Sequence, residues 1–207
     1  AAALGNLELT GRAHSFLSEV YIERARAGRG EAEAALPHLR EMQRYGREYG
    51  VTILGAFGAD GLGEYFELKR DGSAAAQAHA ESGRIWRAAG LAFRAVAPLA
   101  ESGRLYLRAG QSEAAEAAFA QAQADGHERA GWTELRIARA RALAGQTARA
   151  CAQIEHGLSL APSAEERERW LVLLQTHPDW QDMSGLPGIA ELLARLAPRP
   201  VEARTSA

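Results

Sequence analysis

The sequence predicts an all-α protein: a right-handed solenoid of antiparallel helix hairpins, finished by C-terminal capping helices. Three observations predict it. Alanine fills 45 of the 207 residues and proline only 7, a composition that favours helix. Apolar residues recur three and four apart nearly everywhere, while the alternation of a strand is almost absent. Finally, Gly103, Gly110, Ala115, Phe119 and Ala122 return 35 residues later as Ala138, Gly145, Ala150, Ile154 and Gly157. Small falls on small and large on large, as in two helices packed against each other and then repeated.

Taken in order, about ten helices are expected, separated by Gly28 to Gly30, Asp71-Gly72, Gly110, Asp125-Gly126 and Gly145. At such breaks glycine can take the left-handed conformation that ends a helix. Ser73, Ser112 and Thr147 are placed to accept from the unpaired amides of helix starts. Ser163, with Glu166 three residues on, forms a capping-box pattern ahead of Trp170-Leu171. A helix over 164–175 and a last one over 188–196, opened by Pro187, carry Trp170, Leu173, Leu174, Ile189, Leu192 and Leu193. That is enough apolar surface to cover the end of a stack, and the capping segment spans 164–197. Residues 1–197 are expected as a single domain, with 198–207 a disordered tail.

Gly103, Tyr106, Gly110, Ala115, Phe119 and Ala122 together resemble one copy of the tetratricopeptide repeat. That signature sets Leu-Gly, an aromatic, Gly, Ala, an aromatic, Ala and Pro along about 34 residues. Ile137-Ala138, Gly145, Ala150, Ile154, Gly157 and Pro162 resemble the next copy. Leu62-Gly63, Phe66, Ala75 and Ser82 resemble an earlier one, and Ile22, Gly30, Ala35, Leu39 and Met42 the first. The resemblance therefore implies repeats at about 14–45, 56–89, 96–126 and 131–162. The chain departs from the pattern where Arg141 stands for an aromatic, where His79 replaces a large apolar residue, and where the first copy lacks Leu-Gly. Its uneven spacing is similar to the longer repeats of bacterial regulators. The closing HPDWQDMSGLPGIAELLARL is likewise similar to segments of large bacterial transcription regulators and ATPases.

Composition excludes several functions. A formal net charge of −2, from 24 basic and 26 acidic side chains, argues against direct nucleic-acid binding, which needs a basic excess. No apolar run is long enough to span a membrane. The single cysteine, Cys151, precludes an internal disulfide or a cysteine-rich metal site and suits the reducing cytoplasm. The chain opens on Ala1 without a methionine, which predicts processing or a piece of a longer protein.

Val51 to Phe66 imitates the strand, glycine turn and helix of a dinucleotide site. The next segment is an amphipathic helix instead of a second strand, so Gly55, Gly58 and Gly61 are expected as a smooth stripe for close helix approach. His14, His38, His79, His127, His156 and His177 never fall four apart with a neighbouring carboxylate, so no metal is expected. His79 reads as a core histidine, and Cys151 as a buried, inert thiol between helices. With no nucleophile elbow, paired carboxylates or phosphate loop, neither a cofactor nor an enzyme is predicted.

Binding is the more productive reading. Arg104 and Arg108 share one helical face, and Trp132, Arg136 and Arg139 share another. If those helices stack, the five residues make a basic groove with one aromatic wall. Asp60, Glu64 and Glu67 on the preceding repeat would polarise it. Guanidinium offers bidentate donors and tryptophan a flat contact, which suits a protein or peptide with acidic side chains or a free carboxylate. The alternative for these residues is plain solvation, with Glu101 and Glu134 pairing the arginines, since Lys69 is the only lysine. The function expected is thus a non-catalytic protein-interaction module. A ligand- or peptide-sensing domain of a larger bacterial transcriptional regulator comes second, and an enzyme on a helical scaffold third. Partner identity and oligomeric state stay open.

Overall fold

The structure, a computed structural model, describes residues 2–197, with side chains from residue 9. The tail expected over 198–207 lies outside the described residues. Among the described residues there are eleven α-helices and no strand. They are α1 (Ala2–Arg26), α2 (Leu36–Tyr49), α3 (Thr52–Leu68), α4 (Gly72–Ala88), α5 (Val96–Arg108) and α6 (Ser112–Asp125). After these come α7 (Ala130–Leu143), α8 (Thr147–Ser159), α9 (Ala164–Thr176), α10 (Pro178–Ser184) and α11 (Pro187–Leu196). Short 3-10 turns over Ala32–Ala34, Ala92–Ala95 and His127–Arg129 lead into α2, α5 and α7. Most consecutive helices pack side by side, and α1 also reaches α3, as α5 reaches α7. The helix beyond the expected ten is α10, whose residues fall inside the closing motif.

Small residues decide how closely these helices approach. The run from Val51 to Phe66 forms no strand: it enters α3 at Thr52 and stays helical. Its glycine stripe lies against α2, where a Cβ on Gly46 would stand 2.6 Å from the Gly55 Cα. A Cβ on Gly58 would come within 3.0 Å of the Leu39 carbonyl. Close backbone approach is therefore the reason for these glycines.

A small residue and a larger one sixteen positions on recur in each of the next three hairpins. A Cβ on Gly63 would strike the His79 ring, and one on Gly103 would strike the Phe119 ring. Ala138 and Ile154 lie together in one core cluster. Ala75, Ala115 and Ala150 are fully buried at matching places. Arg141, where the repeat pattern wants an aromatic, lays its guanidinium 4.6 Å from the centre of the Phe119 ring and binds Glu116. Its stem packs while its head stays polar.

The turns differ from expectation in instructive ways. Gly110 and Gly145 are left-handed, with φ of 75° and 84°, as read from the sequence. Before α4 the left-handed residue is Arg70, at φ 60°, instead of Gly72, and Gly126 has φ −99°. Ser73, Ser112 and Thr147 do not cap. Asp71 accepts from the Ala74 amide at 3.0 Å, and Gln111 and Gln146 hold the corresponding cap positions of α6 and α8 without a side-chain bond. Ser163 does cap α9, accepting from the Glu166 amide at 3.1 Å.

At the C-terminal end α9, α10 and α11 pack on α7 and α8. Trp170, Leu174, Trp180, Met183, Ile189, Leu192 and Leu193 share one core with Leu135, Ile154 and Leu158. Cys151 is half-buried beside α11, its Sγ 3.6 Å from the Gly188 carbonyl, and burial pushes its thiol pKa up.

Candidate functional site

Two adjoining cavities of about 610 and 640 Å³ form one groove, with Arg136 and Asp179 lining both. The helices that position it are α1, α3, α4, α5, α7, α9 and α10, helped by the 3-10 turns before α5 and α7. One half is charged and the other aromatic.

In the charged half every cation but Arg136 has a carboxylate partner. His79, 3% exposed, sits with Nδ1 2.7 Å from Asp60 Oδ1. Its Nε2 lies 3.5 Å from Glu67 Oε1, within ion-pair range but too poorly aligned for a hydrogen bond. Glu67 accepts from Arg104 Nη2 at 2.5 Å, and Arg104 Nε donates to Glu101 at 2.6 Å. Glu101 also accepts from Arg139 at 2.7 Å, and Arg139 reaches Asp182 on α10. Arg26 pairs with Glu64 at 3.4 Å. Burial alone would lower the His79 pKa, but Asp60, Glu67 and Glu101 reverse this and carry it up to about 9. Burial would likewise raise Glu67, yet His79 and Arg104 hold it down at about 2.

The aromatic half is built differently. Phe57 from α3 meets Trp86 of α4 edge-on, with ring centroids 5.4 Å apart. Arg94 stands 5.2 Å from the Trp86 centroid and 5.6 Å from Phe93. Arg129 lies 5.4 Å from the same Phe93 ring, and Arg136 5.0 Å from Trp180. Trp132 lies tilted between Trp170 and Trp180, with ring centroids 5.0 and 6.1 Å away. Among the described residues, Arg94, Arg129 and Arg136 have no carboxylate within ion-pair distance. Arg136 is also half-buried, and burial pulls its pKa below the usual value even though Asp179 lies near.

No family model matches the chain, and neither does any curated protein or solved structure.

The five residues marked by the sequence thus separate. Trp132 and Arg136 face the aromatic half. Arg104 and Arg139 lie in the charged half and are both paired to Glu101, but Arg104 is buried and not solvated, and Arg139 meets Glu101 across two helices. Glu134 instead accepts from Gln123 and Gln153. Arg108, the last residue of α5, lines a separate hollow with Arg70, Ser73 and Leu105. Phe57, Trp86, Phe93, Arg94, Arg129 and Trp180 join Trp132 and Arg136 in the aromatic half, and the sequence pattern does not mark these six. Among the described residues no three metal-ligating side chains gather. What the groove can offer chemically is flat apolar area beside cations in need of anions.

Proposed function

We propose that the chain is a protein-interaction module that binds a peptide or partner segment in this groove without catalysing a reaction. The observation that carries the reading is the aromatic half: Phe57 and Phe93 are 43% and 41% exposed there, beside three guanidiniums that lack carboxylates. Aromatic and arginine side chains at the rim and floor of a groove are what protein interfaces enrich.

The same proposal includes a right-handed solenoid of the tetratricopeptide type, with the groove as its concave side. The small–large pairs sixteen apart in three successive hairpins support it. Among the described residues no helix is long and apolar enough to cross a membrane, and with its lone cysteine the module is assigned to the cytoplasm. A sensor of a small ligand within a larger regulator is the second reading, favoured by the size of the aromatic half, about 610 Å³, within the range of small-molecule sites.

Panning a random peptide library against the protein tests the first reading. Enriched peptides should bind the protein and a Val172→Asp control on α9, but lose binding to the Phe57→Asp plus Phe93→Asp variant. Peptides that ignore the double substitution, or no enrichment at all, would overturn it.

A further inference from the structure

The chain carries its own example of what this groove accepts. The short α10 lays Trp180 against Trp132 and under the Arg136 guanidinium, where it is 3% exposed. Two residues on, Asp182 takes Arg139 through both Nε and Nη2, at 3.2 and 2.5 Å. An aromatic ring and a carboxylate, close in sequence, thus satisfy a ring and two arginines on α7.

The far side of the groove repeats the receiving half of that arrangement. Arg94 and Arg129 are both brought against Phe93, Arg94 also covers Trp86, and no carboxylate pairs with either. Arg94 and Arg129 are both exposed, so each keeps its N–H edge open to a partner while one face lies on the ring. A carboxylate can take those donors without lifting either guanidinium off the ring. Phe57 and Phe93, exposed beside them, supply the flat contact for a second ring.

We infer that the open side of the groove recognises a partner segment with an aromatic side chain close to a carboxylate, the chemistry that Trp180 and Asp182 present to α7. This rests on the peptide-binding reading above and names the partner's chemical class. Single-stranded nucleic acid would also stack on exposed rings beside arginine. Asp60 and Asp179 in the groove walls and the net charge of −2 repel a strand charged at every phosphate more than a peptide with one or two carboxylates.

Titration calorimetry of the full chain tests this with four probes: capped peptides containing Asp-Trp-Gln-Asp, Asn-Trp-Gln-Asn or Asp-Ala-Gln-Asp, and an oligothymidylate. The acidic aromatic peptide should bind saturably and weaken as salt rises. Loss of either the carboxylates or the ring should weaken it by about tenfold or more, equivalent to about 1.4 kcal/mol. Arg94→Gln plus Arg129→Gln should erase the preference, with circular dichroism verifying the fold, and Arg94→Lys plus Arg129→Lys should recover only part of it. Equal binding of the Asn-Trp-Gln-Asn peptide overturns this inference and leaves the peptide-binding reading standing. Undiminished binding to the glutamine variant overturns the location, and tighter binding of the oligonucleotide overturns the class of partner. Failure of every probe, together with an unproductive library, overturns both readings.

Discussion

The α3–α4 and α5–α6 hairpins are built on one pattern, and two of the positions at which they differ change the chemistry. Where α5–α6 places Phe119 against Gly103, α3–α4 places His79 against Gly63. Where α5–α6 turns on left-handed Gly110, α3–α4 turns on left-handed Arg70. The first difference exchanges an apolar filler for a cation held by Asp60 and Glu67. Cohesion that came from removing a ring from water, indifferent to pH, comes instead from charge and so depends on protonation. The lesson is that a slot can be kept while the force that fills it changes. At the altered slot the packing residue also touches the groove, because Asp60 lines the aromatic half and His79 the charged half.

The largest effect should come from emptying the apolar slot. Phe119→Ala should cost about 3–5 kcal/mol in urea unfolding, by a similar amount at pH 5 and pH 9. A strong pH dependence of that loss would break the contrast with His79.

Titrating the wild-type protein should sharpen it. The folded-state pKa of His79, about 9, is above its ordinary 6.5, so its contribution is complete below pH 6.5 and is lost as pH rises through 9. At 1.36 kcal/mol per unit this is at most about 3 kcal/mol. Glu67 shifts the other way: its contribution is complete above pH 4.5 and is lost as pH falls through about 2. Stability from this pair should therefore plateau between about pH 4.5 and 6.5, and His79→Phe should flatten the alkaline arm. An unchanged alkaline arm in that variant would count against the assignment.

The smallest effects should come from the turns. A non-glycine residue in the left-handed region costs about 1–2 kcal/mol. Arg70→Gly should thus raise stability by up to about 1 kcal/mol, and Gly110→Ala should lower it by about as much, both seen in thermal unfolding.

Much of this was legible in the chain. The helices, the glycine stripe of α3, the matched pairs of α5–α8 and the buried His79 follow from spacing alone, because a helix converts spacing into facing. Trp132 and Arg136, four residues apart on α7, line one cavity for the same reason. Arg94 and Arg129 escaped because they lie in 3-10 turns between helices, where the 3.6-residue period does not apply. Trp180 escaped because α10 is too short to show a period, although the proline that opens it was visible. Arg104 and Arg139 share faces as read, but which carboxylates meet them depends on tertiary pairing, and Asp182 is 43 residues from Arg139. Arg108 has the right spacing from Arg104, yet it ends α5 and looks into another hollow.

The placing of the tryptophans has a practical consequence. The chain has four; Trp86, Trp132 and Trp180 line the aromatic half, and Trp170 lies against Trp132. Ultraviolet emission from the unlabelled protein therefore originates almost wholly at one place. Quenching or a spectral shift on adding a candidate partner would report occupancy directly, with no dye attached, and the protein supplies its own optical gauge for the question it poses.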